Sequence, residues 1–351
     1  MIFFKIVLYP FSIIYGIITS FRNFLYDHGY KASAHFPVKT ICVGNLSVGG
    51  TGKTPFVEYL VEKLNKEFSI FTLSRGYGRK SKGFKIANDS SSVDDLGDES
   101  YQYYTKFKNL INVSVGESRV NAIQKILKFK PKLDLIILDD AFQHRALKCD
   151  FNILLTDYNN IFYKDLLLPA GRLREKKTGV KRAEVVIVSK CPANIEENTI
   201  KSISSKIKKI TKRPIDVFFT TIRYGEPINL LDNYFNVFSN NIFLVTGIAK
   251  PKYLEEFIIE KYNLIGKLDF SDHHNYTKAD IVKIKNSFIA CNNPSKCIIT
   301  TEKDMVKFQN ADFKKILHDI PVFYIPITAQ FLKNQARFDE LILNLMLKKI
   351  K

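Results

Sequence analysis

The run Ser47-Val48-Gly49-Gly50-Thr51-Gly52-Lys53-Thr54 holds the residue types that cradle a chain of phosphates. In such a run the glycines let backbone N–H groups wrap phosphate oxygens, Lys53 reaches the outer phosphates, and the Thr54 hydroxyl can ligate Mg²⁺. The motif needs a strand before it and a helix after it. Lys39-Thr40-Ile41-Cys42-Val43 reads as the strand and Phe56-Val57-Glu58-Tyr59-Leu60 as the helix, so the loop points to a nucleoside triphosphate. The strict pattern has Gly where Ser47 stands, and the match rests on Gly49, Gly50, Gly52, Lys53 and Thr54. Downstream, the apolar run Leu135-Ile136-Ile137-Leu138 closes on Asp139-Asp140. A carboxylate at such a strand end holds Mg²⁺ directly or through water; which of Asp139 and Asp140 does so stays open.

The elements that must position these groups follow from periodicity. Strand-length apolar runs at 68–73, 134–138, 151–155 and 185–188 alternate with helical patterns, the signature of a parallel sheet covered by helices. At 351 residues the chain exceeds a single core. The basic stretch ending in Pro214 is the expected boundary, with strands at 217–222, 242–246, 296–301 and 322–325 beyond it. Thr277-Lys278-Ala279-Asp280 has capping-box spacing, which starts a helix there and leaves Asp272-His273-His274 in an exposed loop. The expected class is α/β: a P-loop NTPase-like, mainly parallel sheet flanked by helices over 30–214, a smaller α/β domain over 215–351 that closes over the site, and an N-terminal membrane-interfacial helix over 1–29.

That first segment is unusually apolar. A spanning helix needs about 20 mainly apolar residues, and this run is barely that long, with Lys5 near its start and Pro10 inside it. An interfacial helix fits better, its Phe, Ile and Leu face in the acyl boundary and Lys5, Arg22 and Lys31 at anionic headgroups. The formal net charge of +18 suits an anionic membrane, a phosphorylated substrate or nucleic acid. Basic residues are spread along the chain and no nucleic-acid module is recognisable, so nucleic acid is not an expected partner. Five cysteines without CxxC spacing fit a reducing, cytoplasmic setting. Oligomeric state is not legible.

The motifs occur in one order: Val43-Gly44-Asn45, the GGTGKTP string, Ser74-Arg75-Gly76-Tyr77-Gly78, Gly97-Asp98-Glu99, Asp139-Asp140-Ala141-Phe142-Gln143-His144-Arg145, Pro169-Ala170-Gly171-Arg172-Leu173-Arg174-Glu175, Gly247-Ile248-Ala249-Lys250-Pro251, Asp272-His273-His274 and Thr301-Glu302-Lys303-Asp304. Together they resemble the tetraacyldisaccharide 4'-kinases of lipid A biosynthesis. Ala141 and Arg172 depart from the family's usual Gly and Pro.

The resemblance implies transfer of the ATP γ-phosphoryl group, with Mg²⁺, to the 4'-hydroxyl of an acylated glucosamine disaccharide 1-phosphate at the cytoplasmic face of the bacterial inner membrane. A sugar hydroxyl needs somewhere for its proton to go. Asp98 is the candidate base, and by resemblance its partner is His273, with His274 as the alternative. Lys53 would neutralise charge between the β- and γ-phosphates. Arg75, Arg119 and Arg174 are candidate phosphate contacts, Arg119 having a plain surface arginine as its rival reading. Glu99, Gln143, His144 and Glu175 are candidates for organising the metal site or binding the acceptor. The alternative function is a membrane-associated P-loop NTPase acting as a regulator or transport accessory. Against a guanine switch, Thr301-Glu302-Lys303-Asp304 places an acid before the lysine.

Overall fold

The structure, a computed structural model, describes residues 2–231 and 237–348. Of the segments expected from sequence, Met1 in the N-terminal run and residues 232–236 and 349–351 in the second half lie outside the described residues. The strands in chain order are β1 Lys39–Asn45, β2 Ile70–Ser74, β3 Lys85–Ile86, β4 Asn112–Val115, β5 Leu135–Asp139, β6 Phe151–Asp157, β7 Val185–Ser189, β8 Asp216–Tyr224, β9 Ile228–Asn229, β10 Asn241–Thr246, β11 Asn263–Asp269, β12 Cys297–Thr301, β13 Val322–Ile325 and β14 Ile327–Phe331.

Nine strands form one sheet in the order β14-β8-β7-β6-β1-β5-β2-β4-β3, parallel except for the antiparallel edge pairs β14–β8 and β3–β4. Every residue of β1, β2, β5 and β7 is buried. Helices cover both faces of such a sheet, which is why these strands are buried along their whole length rather than at alternate residues. In the register of β1 against β5, Val43 lies beside Asp139. The phosphate loop and the acidic pair therefore leave the same edge of the sheet, the carboxyl ends where ligands bind in open α/β folds.

The second sheet has the order β11-β10-β12-β13-β9. The break expected after Pro214 does not coincide with the break between sheets. β8 pairs with β7, and β14 with the helix Gln335–Leu347 returns to the first sheet. The reason is apolar cover: Phe338 of that helix packs on Phe56 and Phe218, with ring centroids 5.5 and 5.4 Å apart. A basic linker followed by Pro marks a turn, and a turn does not say to which sheet the next strand pairs.

The N-terminal helix Ile2–Asp27 is inverted in its amphipathicity. Its inward face is polar. Ser12 donates to the Leu167 carbonyl at 3.0 Å and accepts from the Ala170 N–H at 2.9 Å, the Tyr15 hydroxyl donates to the Arg174 carbonyl at 2.8 Å, and Asn23 donates to Glu175 at 2.8 Å. Gly16 sits where any Cβ would lie 2.7 Å from Leu167. Its outward face carries Ile6, Phe11, Ile14, Ile17, Ile18 and Phe21, each more than half exposed. Among the described residues no helix is long and apolar enough to cross a membrane. Arg22, expected at headgroups, stays exposed and also donates to the Gln143 carbonyl at 3.0 Å.

Candidate active site

Gly49 and Gly52 adopt φ of 102° and 77°, the left-handed region that a side chain would strain, and these two turns wrap the phosphate loop. Ser47 has no such need. It is buried and forms an antiparallel bridge with Leu173, so a residue with a side chain fits where the strict motif has Gly. The loop is pinned from outside: the Val48 N–H donates to the Arg172 carbonyl at 2.8 Å, Ser189 donates to the Thr51 carbonyl at 2.8 Å, and the Thr51 hydroxyl accepts from Asn45 at 2.9 Å. The helix Lys53–Leu64 begins after Gly52 with no side chain capping it. Its first N–H groups and the positive end of its dipole thus face the place where phosphates would sit.

The acidic pair divides its work. Asp139 is buried, and its Oδ2 accepts from the Tyr103 hydroxyl at 3.0 Å, while its Oδ1 has no partner among the described residues. Tyr103 also meets the Thr54 hydroxyl. Burial pushes Asp139 up to about 6 against the pull of Lys53, with the Asp140 charge adding to the rise. A divalent cation can satisfy a buried carboxylate oxygen that has no donor, and Thr54 stands beside the same tyrosine. Asp140 is committed elsewhere. At φ 49° it turns its carboxylate to Arg174, whose Nη1 donates to both oxygens at 3.0 Å, with Lys53 Nζ 3.5 Å away. Burial opposes its ionisation, but Lys53 and Arg174 hold it below the ordinary aspartate range. Asp139 and Thr54 are therefore the residues that would hold Mg²⁺.

Around this centre lies a basic, partly unsatisfied wall. Arg119 is buried, against its reading as a surface arginine; Nη1 donates to the Gly116 and Glu117 carbonyls at 3.1 and 3.2 Å, and Nε has no partner among the described residues. Burial lowers its pKa while Asp140 and Asp139 raise it. His144 Nε2 is likewise buried without a partner. Burial, with Arg119, Arg22 and Arg75 nearby, lowers His144 to about 4, so its imidazole is neutral at pH 7. Arg75 is exposed. Glu175 is fully engaged: Oε1 accepts from Arg182 at 2.7 Å and Gln143 at 3.1 Å, and Oε2 from Asn23. Gln143 also donates to the Asn45 carbonyl at 2.8 Å. These two side chains form a polar hub that fastens the N-terminal helix to the end of β1.

Asp98 opens the helix Asp98–Phe107 and is buried. Gly97 before it has φ 79°, and a Cβ there would lie 2.5 Å from the Tyr77 carbonyl oxygen, so the motif's glycine permits the close turn. Asp98 Oδ2 meets His273 Nδ1 at 3.1 Å and Lys307 Nζ at 2.9 Å, both from the second sheet's side. Burial raises the Asp98 pKa, but the hydrogen bond with His273 and the Lys307 charge outweigh it and hold the group below the ordinary value. Lys303 Nζ lies 2.9 Å from His273 Nε2. An ammonium can only donate, so Nε2 accepts and Nδ1–H donates to Asp98, which fixes one tautomer. His273 holds φ 56° and packs edge-on against Tyr77 at 5.2 Å. Glu99 is 3.9 Å from both His273 and Lys303. His274 points away and bonds the capping Asp280 at 3.1 Å.

Sequence reasoning missed Tyr103, Lys303 in its contact with His273, Lys307, Lys190 and Asp157. Lys190 donates to the Gly50 carbonyl at 2.7 Å, and Lys250 of the second sheet's side reaches Asp157 at 2.8 Å. Lys303 and Lys307 carried a signal: they lie four apart beyond Thr301-Glu302 and so on one face of a helix.

The family model described as Tetraacyldisaccharide-1-P 4'-kinase (LpxK) matches residues 4–347. A tetraacyldisaccharide 4'-kinase of Flavobacterium psychrophilum is 44% identical over 348 residues, covering 97% of each chain. One from Flavobacterium johnsoniae is 42% identical, covering 96% of each. A crystal structure of LpxK from Aquifex aeolicus, an "apo" form in complex with ATP, superposes with a TM-score of 0.73 at 27% identity, over 98% of this chain and 99% of that one.

His144 titrates below the histidine range. Its folded pKa of about 4 lies under its ordinary 6.5, so the unfolded chain binds a proton that the native protein refuses, and this group's contribution to stability is lost as pH falls from 6.5 through 4. In an NMR titration of the imidazole signals, His144 is expected to stay neutral at pH 5. A midpoint near 6.5 contradicts the buried, cation-lined environment.

Proposed function

The chain belongs to the tetraacyldisaccharide-1-P 4'-kinase family, and from that premise we propose how its side chains share the reaction. The enzyme transfers the γ-phosphoryl group of ATP to the 4'-hydroxyl of a tetraacylated glucosamine disaccharide 1-phosphate, giving the 1,4'-bisphosphate lipid A precursor and ADP. ATP and Mg²⁺ are its cofactors. A regulatory NTPase that transfers phosphate only to water has no support in this family.

The observation that carries the reading is the Asp98 carboxylate, held through Oδ2 by His273 and Lys307 at the edge of the phosphate loop's domain. In phosphoryl transfer the 4'-oxygen forms a bond to γ-phosphorus, the bond to the β,γ-bridging oxygen breaks, and the hydroxyl proton must leave. Asp98 accepts that proton. Because its pKa is held low, it does so late, once bonding to phosphorus has made the hydroxyl acidic, as suits a loose transition state. His273 orients the carboxylate, and Lys303 fixes the tautomer that does so. Lys53 offsets charge between the β- and γ-phosphates. When bound, Mg²⁺ neutralises charge on the phosphate oxygens, and Thr54 and Asp139 are the residues that would hold it, Asp139 through its unpartnered oxygen. Asp140 and Arg174 keep each other and Lys53 in place. Arg119 and neutral His144 offer unused ring and guanidinium nitrogens to anionic or hydroxyl groups of the substrates, and exposed Arg75 serves the same wall.

The inverted N-terminal helix meets the lipid acceptor's membrane. An apolar face this continuous marks a contact surface, and an interfacial helix lays such a face at the headgroup and acyl boundary. The protein is thus peripheral on the cytoplasmic face of the inner membrane, drawn there by its net charge of +18 against anionic lipids. Arg174, whose carbonyl Tyr15 holds, ties that helix to the acidic pair.

In a vesicle assay with γ-labelled ATP, Asp98→Ala and His273→Ala are each expected to reduce label transfer to the acylated disaccharide by about 10²–10⁴-fold, with Mg–ATP affinity unchanged. Their double variant should lose far less than the product of the two. Multiplied losses would show that the two residues act independently. Removing residues 1–29 should impair lipid use more than nucleotide binding, and normal transfer by the truncated protein would refute the role given to the helix.

A further inference from the structure

Beneath the reacting groups lies a second set of charges that the reaction itself does not use. Lys106 Nζ sits between Glu58 Oε2 at 2.8 Å and Glu302 Oε1 at 3.0 Å. Gln102 donates to the other oxygen of Glu58 at 2.8 Å, and the Ile327 N–H to the other oxygen of Glu302 at 3.0 Å. Glu58 and Glu302 are 2% and 4% exposed, so all four carboxylate oxygens are partnered away from bulk water.

The three residues come from three helices, two of which carry a reacting group near their start, while the third carries the lysines that hold the Asp98–His273 pair. Glu58 lies four residues beyond Thr54 on the helix Lys53–Leu64, and therefore on the same face. Lys106 lies eight residues beyond Asp98 on Asp98–Phe107. Glu302 precedes Lys303 at the head of Glu302–Phe308, the helix whose Lys303 and Lys307 hold His273 and Asp98. One cation serves two carboxylates here. Burying such a group is a poor route to stability, since well-packed apolar residues of similar volume do as well or better, whereas removing one member leaves an unpaired buried charge. A cluster of this kind is better suited to fixing register between elements than to adding stability.

We propose that Glu58, Lys106 and Glu302 are positioning residues that couple the nucleotide loop to the Asp98–His273 pair, so that nucleotide seating and docking of the second sheet favour each other. The inference rests on the reading of Asp98 and His273 given above. Order imposed on the helix Lys53–Leu64 by bound nucleotide fixes Glu58. Glu58 fixes Lys106, and Lys106 draws in Glu302 with the helix that presents Lys303 and Lys307.

The test uses the full chain with Glu302→Gln, which keeps the side chain's shape. Lys106→Met is the more severe variant, and Glu302→Gln carries the test alone should Lys106→Met not fold. With Mg²⁺ and a non-hydrolysable ATP analogue, hydrogen exchange at the backbone amides of residues 271–276 is expected to slow by at least about 5-fold in the wild type, the lower end of ordinary coupling between sites, and to be unaffected by the analogue in Glu302→Gln. In the transfer assay Glu302→Gln should lower kcat by about 10–100-fold, should weaken binding of the ATP analogue by about the same 5-fold because the coupling is reciprocal, and should cost nothing further in kcat when added to His273→Ala. The proposal is overturned if the analogue slows exchange equally in Glu302→Gln, or if the losses with His273→Ala multiply. Normal transfer by His273→Ala would instead overturn the dyad, and the exchange measurement would still decide the coupling.

Discussion

Charges buried between two helices must find partners, and this requirement sets the relation of the two sheets. The helix Asp98–Phe107 belongs to the first sheet's side and Glu302–Phe308 to the second's. They run antiparallel, so Asp98 at the start of one meets Lys307 near the end of the other, while Lys106 near the end of the first meets Glu302 at the start of the second. Slipping either helix by a turn would strand four charges in a low-dielectric seam, at a cost of several kcal/mol for each unpaired ion. In this register His273 also donates to Asp98. The candidate base is therefore oriented by the packing of the second sheet.

A comparable economy links the N-terminal helix to the same centre. Its polar residues face the protein and its apolar residues face outward, so it docks through hydrogen bonds rather than apolar burial. Tyr15 ends on the Arg174 carbonyl and Asn23 on Glu175, and Arg174 and Glu175 in turn hold Asp140 and Gln143. Substrate delivered along the apolar face would arrive beside the acidic pair, with the basic wall of Arg22, Arg75 and Arg119 nearby.

What the sequence revealed depended on how local the signal was. Largely apolar runs marked β2, β5, β6 and β7, because a strand buried on both faces must be apolar along most of its length, and β1 was marked by its place before the phosphate loop. β11 went unnoticed: Asn263–Asp269 has no buried residue and follows directly on a helix. β8 and β14 could not be assigned to the first sheet from sequence, since their pairing joins residues about a hundred apart. The phosphate-loop and acidic-pair motifs named Lys53, Thr54 and Asp139, and the family resemblance named Asp98 and His273. Neither could say that Asp140 is spent on Arg174, that Arg119 is buried, or that Tyr103 bridges Asp139 and Thr54, because these facts depend on which side chains a fold brings into contact. The glycines Gly49, Gly52 and Gly97 were legible for the opposite reason, as each answers a backbone demand at its own position.

The most direct measurement is the protonation of His273 in the full-length protein, read from the nitrogen shifts of isotopically labelled histidine by NMR. With Asp98 and Lys303 placed as they are, the ring is expected as a single tautomer carrying its proton on Nδ1, with Nε2 accepting from Lys303, and to lose that preference in Lys303→Met. A proton on Nε2, or an averaged ring indifferent to Lys303, would contradict the claim that the second sheet orients the base.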